Sequence, residues 1–109
     1  HASDGLYGTG EGAPLWPITG ETQAIALEAA KVLGRLWVGK NSYAIETRIG
    51  EINGFMPHNT TAKSALDMAL YDLLAKRAGL PLYALLGGEN RSFYTDETVS
   101  LDEPTAMAQ

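Results

Sequence analysis

His58 lies in the run Phe55-Met56-Pro57-His58 and is the single histidine inside the chain. An imidazole there could ligate a metal or act as a base. Both roles need company, and no second internal histidine, cysteine or spaced acidic cluster supplies it. The pattern therefore favours a loop or helix-entry residue. Asp67 and Asp72 are the next candidates, as ligands or acid/base groups, but residues five apart on a helix point in clearly different directions. That spacing favours shoulder positions, solvated or holding a neighbouring loop. The run Gly8-Thr9-Gly10-Glu11-Gly12 could cradle a phosphate. A phosphate loop must open directly onto a helix, however, and this one leads into Ala13-Pro14-Leu15-Trp16-Pro17.

Whatever these residues do, the stretch from Asn59 to Gly88 positions them. Ala62, Ala65, Leu66, Ala69, Leu70, Leu73 and Leu74 recur at the spacing of one helical face, which predicts an amphipathic helix. Asn59, Thr60 or Thr61 can cap its start, since a short side-chain oxygen accepts from first-turn amides that lack an intrahelical partner. Lys63 with Asp67, and Asp72 with Lys76, are four apart and suited to pairing along its flanks. Gly79 tolerates the left-handed closure. Pro81 is suited to be the first residue of a short second helix ending at Gly87-Gly88. Ala65 and Ala69, one turn apart, leave a notch where another backbone can approach closely, which predicts the central member of a packed group.

Upstream, Asp4-Gly5 is a turn dipeptide that usually joins two antiparallel strands. The segment Leu6 to Gly12 reads as a short strand whose glycines weaken it but admit neighbouring backbone. Pro14 to Thr19 reads as a stiff apolar loop presenting Trp16 and Ile18, and on composition alone such side chains are core plugs more often than ligand contacts. Thr19 is suited to cap a helix over about Glu21 to Leu33, with Glu21 and Glu28 near its start and Lys31 and Arg35 near its end, as the helix dipole prefers. Ala24, Ile25, Leu27, Ala29, Val32 and Leu33 predict cover on more than one side, with Gly34 as the stop. Leu36 to Gly39 reads as an apolar connector. A third helix is expected from Ser42, carrying Ile45, Ile49 and Ile52 and stopping at Gly54. After the polar junction Glu89-Asn90-Arg91, Ser92 to Leu101 is the longest strand candidate, and Asp96, Thr98 and Ser100 share its polar face. Strand followed by Asp102-Glu103-Pro104 and a helix is the opening of a βα unit.

The 109 residues carry 8 basic and 13 acidic side chains with no basic cluster, which argues against a nucleic-acid surface and for small-molecule or protein partners. The absence of cysteine excludes a disulfide framework and thiolate sites, and fits a cytoplasmic location. No apolar run approaches the roughly 18 residues of a membrane span. The start at His1, without methionine, and the end one turn into a new helix at Gln109 read as an internal segment of a larger protein.

The run from Ala62 to Gly88, AKSALDMALYDLLAKRAGLPLYALLGG, resembles the end of the amino-terminal capping domain in the enolase superfamily, in the branch of muconate lactonizing enzymes and dipeptide epimerases. Gly5, Gly8, Gly10, Glu11 and Pro14 match the end of that domain's sheet and its following loop. The wording YTDETVSLDEPTAMA, with Thr95-Asp96, Thr98-Val99-Ser100 and Pro104, is similar to the first barrel strand and helix of epimerases related to L-Ala-D/L-Glu epimerase. The resemblance implies an α+β capping domain over residues 1–90, with an antiparallel sheet remnant and a helical group, then the truncated start of a (β/α) barrel over 91–109. It implies a Mg²⁺-dependent isomerase acting on a dipeptide, homo-oligomeric at full length, that removes and returns the proton α to a carboxylate. In that family a lysine stands on each face of the reacting carbon, and three carboxylates hold Mg²⁺ on later barrel strands. Neither a Lys-x-Lys pair nor such acids are found in this sequence. Two substrate contacts remain for this segment: Ile18 on a lid loop and Thr98 on the first strand. The alternatives are a muconate cycloisomerase or o-succinylbenzoate synthase of the same branch, or a non-catalytic α+β binding module.

Overall fold

The computed structural model describes residues 1–95. Residues 92–95 carry no regular secondary structure, and the rest of the expected strand and βα unit, Thr98 included, lies outside the described residues. The described elements are helical: α1 Trp16–Thr19, α2 Gln23–Arg35, α3 Ile45–Phe55, α4 Thr60–Ala78 and α5 Leu82–Leu85.

The organising helix is α4, which packs against α2, α3 and α5. Its apolar stripe buries Ala62, Leu70 and Leu73, joined in the core by Ala29 and Leu33 of α2 and Ile45 and Ile52 of α3. Leu33 and Ile52 are fully enclosed, and burial of that extent stabilises by about 2 kcal/mol for each side chain. The helix closes as its sequence predicts. Gly79 adopts φ 66°, its amide donates to Lys76 O, and the Leu80 amide donates to Ala75 O at 3.1 Å. Those bonds satisfy carbonyls that the helix end would otherwise leave unpaired. Pro81 takes φ −66° and ψ 147° as the flanking residue, and α5 is a single turn after it.

The sheet remnant is not found: no strand occurs among the described residues. A strand is defined by a ladder, and among the described residues Leu6 to Gly12 has no second strand beside it. It lies instead on α4. A Cβ on Gly8 or Gly10 would fall inside the shell of the Ala69 or Ala65 carbonyl oxygen, far under the 3.0 Å that real Cβ atoms respect, and one on Gly12 would stand 3.0 Å from Thr61 Cγ2. Each step of two residues along the segment thus matches four along the helix, in the opposite direction. Two extended residues advance about 6.6 Å and four helical ones about 6.0 Å, so the segment runs extended and antiparallel to the α4 axis. The notch at Ala65 and Ala69 does receive a backbone.

Polar side chains on the shoulder of α4 hold that backbone down. Asp72 Oδ2 accepts from the Thr9 amide at 2.7 Å, from Thr9 Oγ1 at 3.0 Å and from Lys76 Nζ at 2.7 Å. Lys76 also donates to Tyr7 O and stands 4.6 Å above the Tyr7 ring. Arg77 donates to Asp4 Oδ2 and to Ser42 Oγ, and lies over the Tyr43 ring. The Asp4-Gly5 turn forms with Gly5 at φ 86°. No ion pair joins Lys63 to Asp67, so only the second expected flank pair exists.

Several boundaries shift for tertiary reasons. Thr22, not Thr19, caps α2 by accepting from the Ile25 amide. Gly34 remains inside α2, which runs on to Arg35 because Leu33 is anchored in the core. Gly54 likewise stays within α3, whose last residue is Phe55. Helix α2 buries only Ala29 and Leu33, while Ile25, Leu27 and Val32 remain exposed, so it is covered on one face among the described residues. Arg48, on α3, is buried and donates to Glu51 Oε1 at 2.8 Å, with Lys40 on the same carboxylate at 3.0 Å. The Trp37 indole donates to Arg48 O, so the apolar connector is pinned to α3. No helix among the described residues is long and apolar enough to cross a membrane.

Candidate functional site

Residues 13–20 leave α4 where the glycine segment ends. Pro17 pre-sets the backbone of one helical turn, α1, and Gly20 closes it at φ 70° with its amide on Trp16 O. Leu15 O accepts three bonds, from the amides of Ile18 and Thr19 and from Thr19 Oγ1. The turn is thereby made rigid without a core beneath it. Its apolar side chains face outward: Leu15 is 52% exposed, Trp16 63% and Ile18 79%. The reading of Trp16 and Ile18 as core plugs is therefore overturned. These residues present an apolar surface on a stiff mount.

The loop's base is polar and buried. Glu21 is 8% exposed, its amide donates to Thr19 Oγ1 at 3.2 Å, and its Oε2 accepts from the Thr61 amide at 3.3 Å. Glu21 thus serves α4 and not the helix that follows it in sequence. The need is visible at α4's start, where Asn59 sits at φ 52° and makes no side-chain cap, its Nδ2 donating instead to Pro57 O. His58, at φ 56°, is exposed in the same entry turn, as a helix-entry residue would be. Negative charge suits a helix N-terminus because the first amides have no intrahelical acceptor. Sequence reasoning identified that preference at Glu21 but assigned it to α2.

A recess of about 800 Å³ lies elsewhere, between the Trp37–Tyr43 connector, the Leu66, Leu70 and Leu73 face of α4, and the chain's first residues. Its principal cation, Arg77, is already engaged by Asp4 and Ser42. No group of three or more His, Cys, Asp or Glu that could hold a metal ion occurs among the described residues. Magnesium does not fit them, and no chemical step can be assigned to it here. Asp67 and Asp72 take no part in a site. The Asp72 carboxyl is held below the usual carboxylate range, first by the Lys76 hydrogen bond and then by the Thr9 amide.

The family described as "Mandelate racemase / muconate lactonizing enzyme, N-terminal domain" matches residues 1–87. This chain belongs to that family. It is 45% identical over 109 residues to a hydrophobic dipeptide epimerase of Enterococcus faecalis, covering 97% of this chain and 30% of that protein. It is 40% identical over 106 residues to the L-Ala-D/L-Glu epimerase of Bacillus subtilis, covering 95% of this chain and 29% of that one. A crystal structure of the dipeptide epimerase from Cytophaga hutchinsonii, complexed with Mg and the dipeptide D-Ala-L-Val, superposes with a TM-score of 0.90 at 39% identity, covering 99% of this chain and 30% of that one. The chain spans about 30% of the length of the curated relatives it matches. The resemblance to the capping domain and to dipeptide epimerases is borne out, and the helical group of the expected α+β fold is present.

Proposed function

We propose that this chain is the capping segment of a Mg²⁺-dependent dipeptide epimerase and that its outward turn lines the substrate pocket. Residues 1–90 form the cap and 91–109 begin the barrel that carries the chemistry. Epimerisation at a carbon α to a carboxylate breaks a C–H bond on one face and returns a proton to the other. The described residues include no pair of bases for that step, so their part is to bind, to orient and to exclude water. Ile18 is the foremost specificity residue, with Trp16 beside it, and Thr98 is its counterpart on the first barrel strand. One observation carries this reading: a rigid turn exposes Leu15, Trp16 and Ile18 in a chain that is 45% identical to a hydrophobic dipeptide epimerase. No charged side chain occurs between Gly12 and Gly20. The favoured substrate is therefore a dipeptide with an apolar side chain facing the turn.

The test is α-proton exchange in D₂O with Mg²⁺, followed by NMR, on the full-length protein that contains this segment. The panel holds apolar, acidic and cationic dipeptides. Exchange with epimerisation is expected, fastest for apolar dipeptides. No exchange with any dipeptide would overturn the reading and move the weight to cycloisomerase or synthase chemistry.

A further inference from the structure

The two ends of the outward loop converge on one residue. Gly12, where the loop leaves the α4 groove, packs against Thr61, with its notional Cβ 3.0 Å from Thr61 Cγ2 and 3.2 Å from Thr61 O. Glu21, where the chain enters α2, bonds the Thr61 amide, 40 residues away in sequence. Residues 13–20 thus project as a compact loop with neighbouring feet, the geometry of an Ω-loop. Between Thr61 and the tip of the loop runs a continuous set of hydrogen bonds: the Thr61 amide to Glu21 Oε2, the Glu21 amide to Thr19 Oγ1, and Thr19 Oγ1 to Leu15 O. The first of these bonds also satisfies the helix start that Asn59 leaves uncapped.

We propose that Glu21 is a positioning residue: by bonding Thr61 it fixes the loop that presents Trp16 and Ile18, and so sets substrate affinity and side-chain preference without touching the reacting atoms. The proposal rests on the reading of this turn as a pocket wall. Its mechanical part stands separately, because a carboxylate that is buried and that accepts, at the loop's foot, from an amide 40 residues away holds the loop whatever the substrate is.

Two measurements on the full-length protein separate the parts. Hydrogen–deuterium exchange resolved over residues 13–21 is compared in the wild type, Glu21→Ala and Glu21→Gln. Glu21→Ala is expected to speed exchange at residues 16–20 by about tenfold or more, the signature of local opening. Glu21→Gln keeps an oxygen acceptor for the Thr61 amide and is expected to restore most of the protection. Unchanged exchange over 16–20 in Glu21→Ala would overturn the positioning role, even if the melting temperature fell. Kinetics on the dipeptide favoured by the wild type then test its consequence. KM is expected to rise about tenfold in Glu21→Ala while kcat stays within about threefold, the pattern of lost binding and not of lost chemistry. Equal loss of kcat with every dipeptide and no change in KM would overturn the link to affinity. A wild type that epimerises no dipeptide would sink the functional reading, while the exchange data would still decide whether Glu21 holds the loop.

Discussion

Residues 6–12 and 13–20 are consecutive, neither forms a strand, and both are mounted on α4, yet they are held by opposite means. The first segment has glycine at positions 8, 10 and 12 and lies against the helix backbone, where a Cβ at Gly8 or Gly10 would collide with a carbonyl oxygen. The second has bulky residues at Leu15, Trp16 and Ile18, is flanked by the contacts of Gly12 and Glu21 with Thr61, and keeps those side chains exposed. Docking demands the absence of side chains, and recognition demands their presence. The chain changes from one requirement to the other at Gly12, which is also where the loop begins.

Adding one methyl group to the docked segment is the sharpest way to break this contrast. Gly10→Ala places its Cβ against the Ala65 carbonyl, and since backbone cannot give way as a flexible side chain would, a loss of about 2–4 kcal/mol is expected. Chemical denaturation of the full-length protein measures it. An unchanged midpoint would show that the segment can lift off α4 at no cost. The same logic predicts the reverse for the loop. Ile18→Glu adds charge to an exposed position, so the melting temperature should stay within a few degrees, while kcat/KM for apolar dipeptides falls about 10- to 100-fold. Equal loss with every dipeptide, cationic ones included, would remove Ile18 from the role of selector.

The smallest effect concerns what holds the docked segment. Asp72 has a carboxyl pKa lowered by Lys76 and the Thr9 amide, so its contribution is fully present above the unfolded carboxylate value of about 3.9. As pH falls through the lowered folded value, that contribution is lost. The stability difference between wild type and Asp72→Asn is therefore expected to be constant at neutral pH and to vanish in acid. Because these groups are partly solvated, the difference should be modest and should shrink with salt. A difference that persisted undiminished at the acid end would mean that Asp72 acts through packing and not through charge.

The features legible in sequence are those whose causes lie within a few residues. The stripe of α4, its closure at Gly79 and the turn at Asp4-Gly5 are local consequences of periodicity and of glycine's access to positive φ. The notch at Ala65 and Ala69 and the permissive glycines were each readable too, as two halves of a contact. Their meeting was not, because nothing in either half names the other. The resemblance to capping domains supplied the family from a long run of matched residues; of the two substrate contacts it implies, Ile18 is exposed on α1 and Thr98 lies outside the described residues. Where sequence reasoning failed, it applied sound physics to the nearest partner. Glu21 does serve a helix N-terminus, but that of α4, 40 residues on. Asp72, by contrast, holds a loop as its shoulder position predicts, and only that loop's place, 63 residues away in sequence, was not readable. Burial of Arg48 beside Glu51 and exposure of one face of α2 had no sequence signal, since both depend on which surfaces the helices present to one another. Sequence by itself determined which segments could be helical and which positions could admit a backbone. Tertiary structure decided which of those capacities are used, because a side chain's partner is set by distance in space, and the chain brings together residues whose local preferences are independent.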